Sequence, residues 1–251
     1  MAEAGIALVD QGPERMRSRT SRNYCISFGF QRHAYFVLRA VSVFYFASKF
    51  GNPGRGQQFH SFLFAILALA PVCVGALVTT LQGQRRAVYV GELLLIAAFA
   101  LVALDANLYL AIASLAVGIG LFNISFKTVS SNYIERLGDQ SDVYFTRLYP
   151  AINVASFLAP LVVSHIFRYT PNTEALTPPG RSIFVWCSVC MLVSMYFWWS
   201  ADHGQRAGST SKADHSQSSM PGDSRADRTK IFGVLTITFF GVLFWLGFLR
   251  K

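Results

Sequence analysis

Predominantly apolar runs alternate with short polar stretches along most of this chain. The runs cover about residues 26–49, 59–81, 87–104, 108–130, 144–167 and 182–200, and a further run lies within 229–251. A helix rises about 1.5 Å per residue, so runs of this length can cross a hydrocarbon layer of roughly 30 Å. The pattern predicts an all-α membrane protein with a bundle of six spans and a seventh span after it.

The polar stretches divide the chain into four regions. Residues 1–25 are mostly polar and arginine-rich and lack the apolar core and cleavage site of a signal peptide, so we expect a cytosolic tail. The six-span bundle covers residues 26–200. Residues 201–228 are rich in Ser, Gly, Asp and basic residues without apolar periodicity, which predicts a flexible cytosolic linker before the seventh helix at 229–251.

Composition and charge agree with a membrane location. Hydrophobic residues make up 53% of the chain and charged residues 14%, which argues against an ordinary soluble domain. The net charge of +9 is concentrated beside the apolar runs and forms no basic groove, so no nucleic-acid partner is expected. The positive-inside rule then predicts a multi-pass protein of a plasma or inner membrane, embedded in the lipid bilayer, with its N-terminus in the cytosol.

Two arginines interrupt the first span. Arg32 and Arg39 are seven residues apart, or two helical turns, so both guanidinium groups project from one face. An arginine at the centre of a membrane helix costs about 2.5 to 3.5 kcal/mol on insertion scales, so this face should look into water or toward partners. Arg32 either reaches the nearby cytosolic surface or lines a cavity, whereas Arg39 lies too deep for the surface and is predicted to line a cavity.

Three other polar side chains within the spans each allow two interpretations. Glu92 either carries a proton or, because it lies five residues from the start of its span, reaches the interface or a basic partner. Lys127 either lines a cavity or extends toward the membrane surface from its helix end. Asn153 either bonds to a neighbouring helix or contacts a substrate.

Several chemical functions find no support in the sequence. No nucleophile–base pair or set of metal ligands lies at a matching depth, so neither an enzyme nor a metal or other cofactor is predicted. Cys187 and Cys190 have C-x-x-C spacing without a second pair or a histidine, and are interpreted as apolar helix residues. A seven-helix retinal receptor is disfavoured because the seventh span has no interior lysine.

The fourth and fifth spans form a helical hairpin with a recognisable signature. Gly118 and Gly120 would allow helix backbones to approach closely, and a polar turn with Asp139 and Asp142 must lie in water. The stretch resembles the signature of the proton-dependent oligopeptide transporter family of the major facilitator superfamily, G-x-G-x-F-K-P-N-x-S, an acidic loop, then F-x-x-F-Y-x-x-I-N-x-G-A-x-x-A-P-L. The chain supplies, in the same order and spacing, Gly118, Gly120, Phe122, Phe145, Tyr149, Ile152, Asn153, Ala159, Pro160 and Leu161.

The first span is similar to the family's first helix, E-x-x-E-R-F-x-Y-Y-x-x-R-A, with changes at titratable positions. Arg32, Tyr35 and Arg39 match, but Phe28 and Gln31 replace the two glutamates. In the fourth span, Asn123 stands where the family has a lysine.

A superfamily motif between the second and third spans is also incomplete. The motif G-x-x-x-D-R-x-x-G-x-R holds neighbouring helix ends by an Asp–Arg pair. Here Thr79 and Thr80 replace that pair, while Arg85 remains.

The resemblance implies the six-helix N-terminal bundle of a major facilitator fold with part of the second bundle missing. It also implies transport of di- or tripeptides or related solutes, with Arg39, Tyr35, Asn123 and Asn153 lining the substrate pocket. Coupling or structural roles fall to Arg32, Gln31, Lys127 and Glu92.

Two functions follow from this resemblance and remain open at the sequence level. In the first, the chain is a transporter or half-transporter, completed by a second chain that supplies the C-terminal bundle or by another copy of itself, and the lost glutamates put proton coupling in doubt. In the second, it is a truncated remnant without transport activity that acts only through membrane partners.

Overall fold

The computed structural model describes residues 11–78, 83–137, 141–168 and 179–209. Contacts divide the chain into residues 1–209 and 210–251, and all described residues belong to the first unit. The predicted seventh helix and most of the predicted linker lie outside the described residues. The described part is helical throughout and consists of α1 Gln11–Phe50, α2 Pro53–Val78, α3 Gln84–Ala103, α4 Leu108–Leu137, α5 Ser141–Arg168 and α6 Pro179–Ser209.

Five of these helices, α2 to α6, are long and apolar enough to cross a membrane, which confirms the all-α membrane fold. Helix α1 is not among them, because Gln31, Arg32, His33 and Arg39 lower its hydropathy. This helix is instead covered by protein, since α2, α5 and α6 all pack against it. A helix at the centre of a bundle can carry polar side chains because protein groups, and not lipid, surround them.

The helices form a closed ring of contacts with one helix outside it. In order around the ring, α1 packs against α2, α2 against α4, α4 against α3, α3 against α6, and α6 against α1. Helix α5 lies mainly against α1 and makes few contacts with α4 and α6. The core that results includes the fully buried side chains of Tyr24, Val37, Leu95, Phe122 and Trp198.

Glycines set the closest helix crossings. A Cβ placed on Gly118 would lie 2.9 Å from the backbone oxygen of Gly91, so α3 and α4 touch through their backbones. A Cβ on Gly120 would lie 2.9 Å from the backbone oxygen of Ala70 on α2. The predicted role of Gly118 and Gly120 in close helix approach is therefore confirmed.

Short capped turns join the helices on one side of the bundle. The Asn52 side chain accepts the backbone N–H of Gly54 at 2.8 Å, with Pro53 as the first residue of α2, an arrangement that suits a helix start. Asn107 caps α4 in the same way, by accepting the backbone N–H of Tyr109 at 3.0 Å. Residues 105–107 thus form a tight turn between α3 and α4.

Asp105 in this turn ties three helices together. It has a positive φ of 52° and bonds to Lys49 at the end of α1 at 2.5 Å and to Arg181 at the start of α6 at 3.3 Å. The hydrogen bond from Lys49, together with the positive charges, holds the pKa of the Asp105 carboxyl below its usual value. The carboxylate is exposed, so these bonds organise the turn more than they stabilise the fold.

Helices α1 and α6 extend furthest beyond their predicted limits. Helix α1 begins at Gln11 and not near residue 26, and α6 continues to Ser209 and not to about 200. Polar side chains in the added part of α6, and near the start of α1, form hydrogen bonds or ion pairs between α1 and α6 or between α6 and α3. The amide of Asn23 donates to the Ser200 hydroxyl at 3.0 Å, and the buried carboxylate of Asp202 binds Arg85.

Candidate functional site

Arg32 is held between α1 and α4. Its guanidinium donates to the side-chain oxygen of Asn123 at 2.8 Å, across the bundle. The Cζ atom lies 4.6 Å from the ring centroid of Phe28 and 5.8 Å from that of Tyr35, within cation–π range of both. Three residues predicted from the sequence, Arg32, Tyr35 and Asn123, therefore come together.

The Phe28 ring belongs to an aromatic stack that fixes this arrangement. It stacks on Phe126 with the centroids 4.8 Å apart and an interplanar angle of 19°, and Phe126 stacks in turn on Phe122 at 5.3 Å. Among the described residues, no carboxylate forms an ion pair with Arg32. An amide oxygen and ring faces hold the cation in place of a counter-ion.

Arg39 lies two turns further along the same stripe of α1 and is exposed. The stripe turns toward α2 at this level, where the Tyr35 ring contacts Phe64 edge-on with centroids 5.7 Å apart. One turn after Arg39 on α1, the Ser42 hydroxyl forms a hydrogen bond with His60 of α2, with 2.6 Å between Ser42 Oγ and His60 Nδ1. Arg39 is thus the exposed arginine of the stripe, whereas Arg32 is half-buried.

Asn153 is not brought to this stripe. Ala155 accepts a contact from α1 through its backbone oxygen, and Ala151 lies beside Gly29 of α1, so these two positions face α1. A residue midway between them points away, since each step in a helix turns by about 100°. Asn153 is accordingly exposed on the other side of α5. A substrate role for Asn153 remains a prediction that this placement does not support.

The predicted coupling residues occupy different environments. Gln31 is buried at 2% exposure, and its side-chain oxygen has no hydrogen-bond partner among the described residues. Lys127 is exposed one turn after Asn123. Glu92 is fully buried, so the expectation that it reaches the membrane interface is wrong. The cause is the neighbouring α6, which covers Glu92 and places the Ser194 hydroxyl 2.6 Å from its Oε1 atom.

His33, which was not among the predicted site residues, joins three helices. His33 is buried; its Nδ1 lies 3.1 Å from the backbone oxygen of Ala155 on α5, and Trp186 on α6 donates its indole N–H to Nε2 at 3.1 Å. Since a carbonyl can only accept and an indole can only donate, the ring must be neutral with its proton on Nδ1. The available signal was a histidine directly after an arginine inside an apolar span.

Arg85, the arginine retained from the superfamily motif, forms an ion pair with a residue outside that motif. Arg85 bonds Asp202 at 2.7 Å, and the Asp202 side chain is 1% exposed. This pair joins the start of α3 to the end of α6, although Asp202 falls in the stretch predicted as a linker. Thr79 and Thr80 lie outside the described residues.

A small, partly open apolar pocket is lined by residues of α1 to α4 and α6. Its lining includes Leu38, Phe46, Ala98, Leu115 and Phe184. Such a lining offers few partners for the charged ends of a peptide. The polar stripe of α1 is therefore the better candidate site.

Comparisons with curated proteins give partial matches to peptide permeases. No family model matches the chain. It is 29% identical over 183 residues to dipeptide and tripeptide permease A of Erwinia pyrifoliae, which covers 70% of this chain and 36% of that protein. It is 26% identical over 134 residues to the protein of that name from Escherichia coli, covering 51% of this chain and 27% of the relative. The chain spans about a third of the length of these relatives.

Solved structures give broader matches in fold. The bundle resembles the peptide transporter POT in complex with sulfate, with a TM-score of 0.62 and 20% identity over 92% of this chain and 46% of that one. It resembles tetrameric PepTSo2 with a TM-score of 0.62 and 18% identity over 94% of this chain and 50% of that one. The curated matches confirm the predicted relationship to peptide transporters over part of these proteins' length. The solved structures confirm the predicted helix-bundle fold.

Proposed function

We propose, from the relationship of this chain to the proton-dependent oligopeptide transporters, that it forms one helix bundle of a membrane transporter for di- or tripeptides or related solutes. The observation that carries the proposal is the polar stripe of α1, where Arg32 is fixed by Asn123 at 2.8 Å and Arg39 is exposed on the same face. The relatives named above are dipeptide and tripeptide permeases, which supports this class of substrate.

Arg39 is the residue that meets the substrate carboxylate in this proposal. A guanidinium presents two parallel N–H donors that match the two oxygens of a carboxylate, and such pairs are stronger than neutral hydrogen bonds. Tyr35 lies one turn away and offers an aromatic face and a hydroxyl beside the same position. Arg32 acts as a positioning residue, since its bond to Asn123 joins α1 to α4 and sets the orientation of the stripe.

Proton coupling at the family's positions is absent in this proposal. The resemblance assigns coupling to two glutamates of the first helix and a lysine of the fourth, and here Phe28, Gln31 and Asn123 stand at those positions. None of these side chains titrates. Substrate movement through the site should therefore run down the substrate gradient without being driven by a pH gradient.

A second bundle is needed to complete a transport path. Alternating access rocks one bundle against another around a site at the membrane midplane. The chain covers about half of the solved transporter chains, so the second bundle comes from further sequence, a second chain or another copy. We place the N-terminus in the cytosol, because the basic residues at 15–22 then lie on that side.

Peptide binding by the full chain in lipid nanodiscs tests the proposal. Labelled dialanine should bind, and dialanine amide, which lacks the terminal carboxylate, should compete far less well. Arg39→Gln should weaken dialanine binding by about 10- to 100-fold, since a hydrogen bond to a charged group contributes about 1.5–3 kcal/mol and 1.4 kcal/mol corresponds to a factor of ten. Arg55→Gln, at an exposed arginine in the first turn of α2, is the matched control and should leave binding unchanged.

Two results would contradict the proposal. Equal competition by dialanine and its amide, or equal affinity of the Arg39→Gln and Arg55→Gln proteins, would exclude a carboxylate site at Arg39. Dipeptide accumulation in proteoliposomes driven by a pH gradient would refute the proposed absence of proton coupling.

The alternative function is a transport-inactive relative that acts only through membrane partners. The observation that favours it is the bond from Arg32 to the uncharged amide of Asn123, in a position where the family has a titratable lysine. A folded chain that binds no dialanine, alone or when expressed together with its genomic neighbours, would support this alternative.

A further inference from the structure

Glu92 lies in the centre of the bundle, apart from the polar stripe of α1. Its side chain has 0% exposure, and α4 and α6 pack against its helix. Ser194 of α6 lies 2.6 Å from Glu92 Oε1 and also contacts α1, where its Oγ is 3.0 Å from the backbone oxygen and 3.1 Å from the Oγ of Ser27. The two serines and the glutamate thus form a continuous buried cluster across α1, α3 and α6.

The hydrogens available in this cluster decide the state of the carboxyl. Three oxygen–oxygen contacts need three hydrogens, and the serine hydroxyls of Ser27 and Ser194 supply two. If Glu92 is ionised, one close contact is left without a hydrogen. If Glu92 carries a proton, it donates to Ser194, Ser194 donates to the Ser27 carbonyl, and the Ser27 hydroxyl donates to Ser194, so every contact is satisfied.

Apart from the Ser194 hydroxyl, the described surroundings offer no group that would stabilise an anion at Glu92. Among the described residues, no salt bridge reaches Glu92, and its Oε2 atom has no hydrogen-bond donor. The basic groups on the packed helices are engaged or exposed elsewhere. Arg32 bonds Asn123, Arg85 bonds Asp202 and Lys127 is exposed. An ionised carboxylate with one hydroxyl donor and no cation beside it is far more costly to bury than a neutral acid.

The other titratable groups around the cluster do not change this conclusion. Those carried by α1, α3, α4 and α6 in the buried core are phenols and thiols, which are neutral when buried, the His33 imidazole, which is held neutral by Ala155 and Trp186, or belong to the Arg85–Asp202 pair. The phenols and thiols of the core are Tyr24, Cys25, Tyr133, Cys187 and Cys190.

We propose that Glu92, Ser194 and Ser27 form a proton-binding site that joins α1, α3 and α6, in which the Glu92 carboxyl keeps its proton at neutral pH. The site uses a carboxyl on α3 in place of the family's glutamates at positions 28 and 31 of α1, although Ser27 directly precedes Phe28, and it does not depend on the peptide-binding proposal. Loss of the proton would require α6 to separate from α1 and α3 to admit water or a cation. The proton equilibrium of Glu92 is therefore linked to the packing of α6.

Infrared spectroscopy of the full chain in lipid at pH 7 tests the proposal directly. A protonated carboxyl has a C=O stretching band above the amide bands, whereas exposed carboxylates at this pH give none. The wild-type protein should show this band. Glu92→Gln should remove it, and Asp142→Asn, at an exposed carboxyl at the start of α5, should leave it unchanged.

Ser194→Ala provides a second assignment of the band that does not alter the carboxyl. The variant removes the acceptor of the Glu92 proton, so the band should remain and move to higher frequency. This variant also decides the matter if Glu92→Gln does not fold. Absence of the band in the wild-type protein, its persistence in Glu92→Gln, or an unshifted band in Ser194→Ala would overturn the proposal.

Thermal unfolding gives an independent measurement. The folded protein holds a proton that an exposed glutamate, with an ordinary pKa of about 4.3, releases, so unfolding frees a proton at neutral pH and stability falls as pH rises. The wild-type Tm should therefore decline between pH 6 and pH 9 more steeply than that of Glu92→Gln, whose amide has the shape of the protonated acid. Parallel curves for the two proteins would contradict a protonated Glu92.

Discussion

A methyl group added at the crossing of α3 and α4 should measurably weaken the bundle. In the Gly118→Ala protein the new Cβ would lie 2.9 Å from the backbone oxygen of Gly91 and 3.0 Å from Cγ of Leu95, where ordinary contacts begin at 3.4 Å. The nearest atom belongs to the backbone and cannot rotate away. The helices must therefore separate by roughly half an ångström along this crossing, which loosens the contacts on either side.

Two opposing effects determine the change in the free energy of unfolding. Adding a methyl group to a packed core costs about 1–3 kcal/mol, whereas replacing glycine by alanine within a helix gains up to about 1 kcal/mol. The free energy of unfolding of Gly118→Ala should thus fall by up to about 2 kcal/mol. Equilibrium unfolding of the purified protein in mixed detergent micelles measures this difference.

Gly204→Ala is the matched control. Its Cβ would also meet an atom at 2.9 Å, but that atom is the side-chain oxygen of Thr20, which can turn away. The same substitution should therefore be neutral or slightly stabilising at this site. If Gly118→Ala unfolds with the same free energy as Gly204→Ala, backbone contact at the α3–α4 crossing is not what the glycine provides.

A double variant refines the test. A Cβ on Gly91 would lie 2.8 Å from the backbone nitrogen of Phe122 and 3.0 Å from the backbone oxygen of Gly118, so both substitutions strain the same crossing. One separation of the helices relieves both clashes. The loss in Gly91→Ala/Gly118→Ala should be smaller than the sum of the single losses, and strict additivity would refute a shared crossing.

Asp202→Asn should lower the free energy of unfolding by about 2 kcal/mol, because it removes the buried negative charge that pairs with Arg85 and leaves a neutral amide in its place; an unchanged unfolding curve would exclude a stabilising pair. Trp186→Phe should cost about 1–2 kcal/mol, since the Nε2 atom of buried His33 loses its donor, and a wild-type stability would exclude that bond. Asp105→Asn should cost less than about 1 kcal/mol at pH 7. The pKa of Asp105 is lowered in the folded protein, so its contribution to stability is present above the ordinary aspartate pKa of about 3.9 and is lost as pH falls below that value. The Tm curves of the wild-type protein and the Asp105→Asn variant should therefore converge in acid.

The sequence predicted the helices well because each span has a long apolar run and clear punctuation. Asn52-Pro53 and Asp105 to Asn107 mark helix boundaries by capping chemistry that depends only on local residues. The ends of α1 and α6 were predicted less well. Polar residues at these ends are helical because side chains of α1 and α6 bond to one another, as Asn23 does to Ser200. Neither segment read by itself predicts such a bond.

The same distinction explains the candidate site. The spacing of Arg32 and Arg39 predicted one stripe, which depends only on helix periodicity, and the resemblance placed Asn123 opposite it. The partners of Glu92 and His33 lie on helices far along the chain, and no periodicity links Glu92 to Ser194 or His33 to Trp186. Asn153 was expected near the stripe from the resemblance, but the rotation of α5 against α1 turns it away.

The replacements in the stripe make physical sense as a set. Had the glutamates at positions 28 and 31 been lost while a lysine remained at 123, two cations would face each other near the protein interior and repel. With Asn123 in the lysine position, its side-chain oxygen instead accepts from Arg32, and the Phe28 ring at 4.6 Å supplies the attraction that a carboxylate would have given. Arg32 is thereby committed to holding α1 against α4. The exposed Arg39 is then the cation of the stripe that can exchange its present surroundings for a ligand, which is why the binding experiment is directed at Arg39 and not at Arg32.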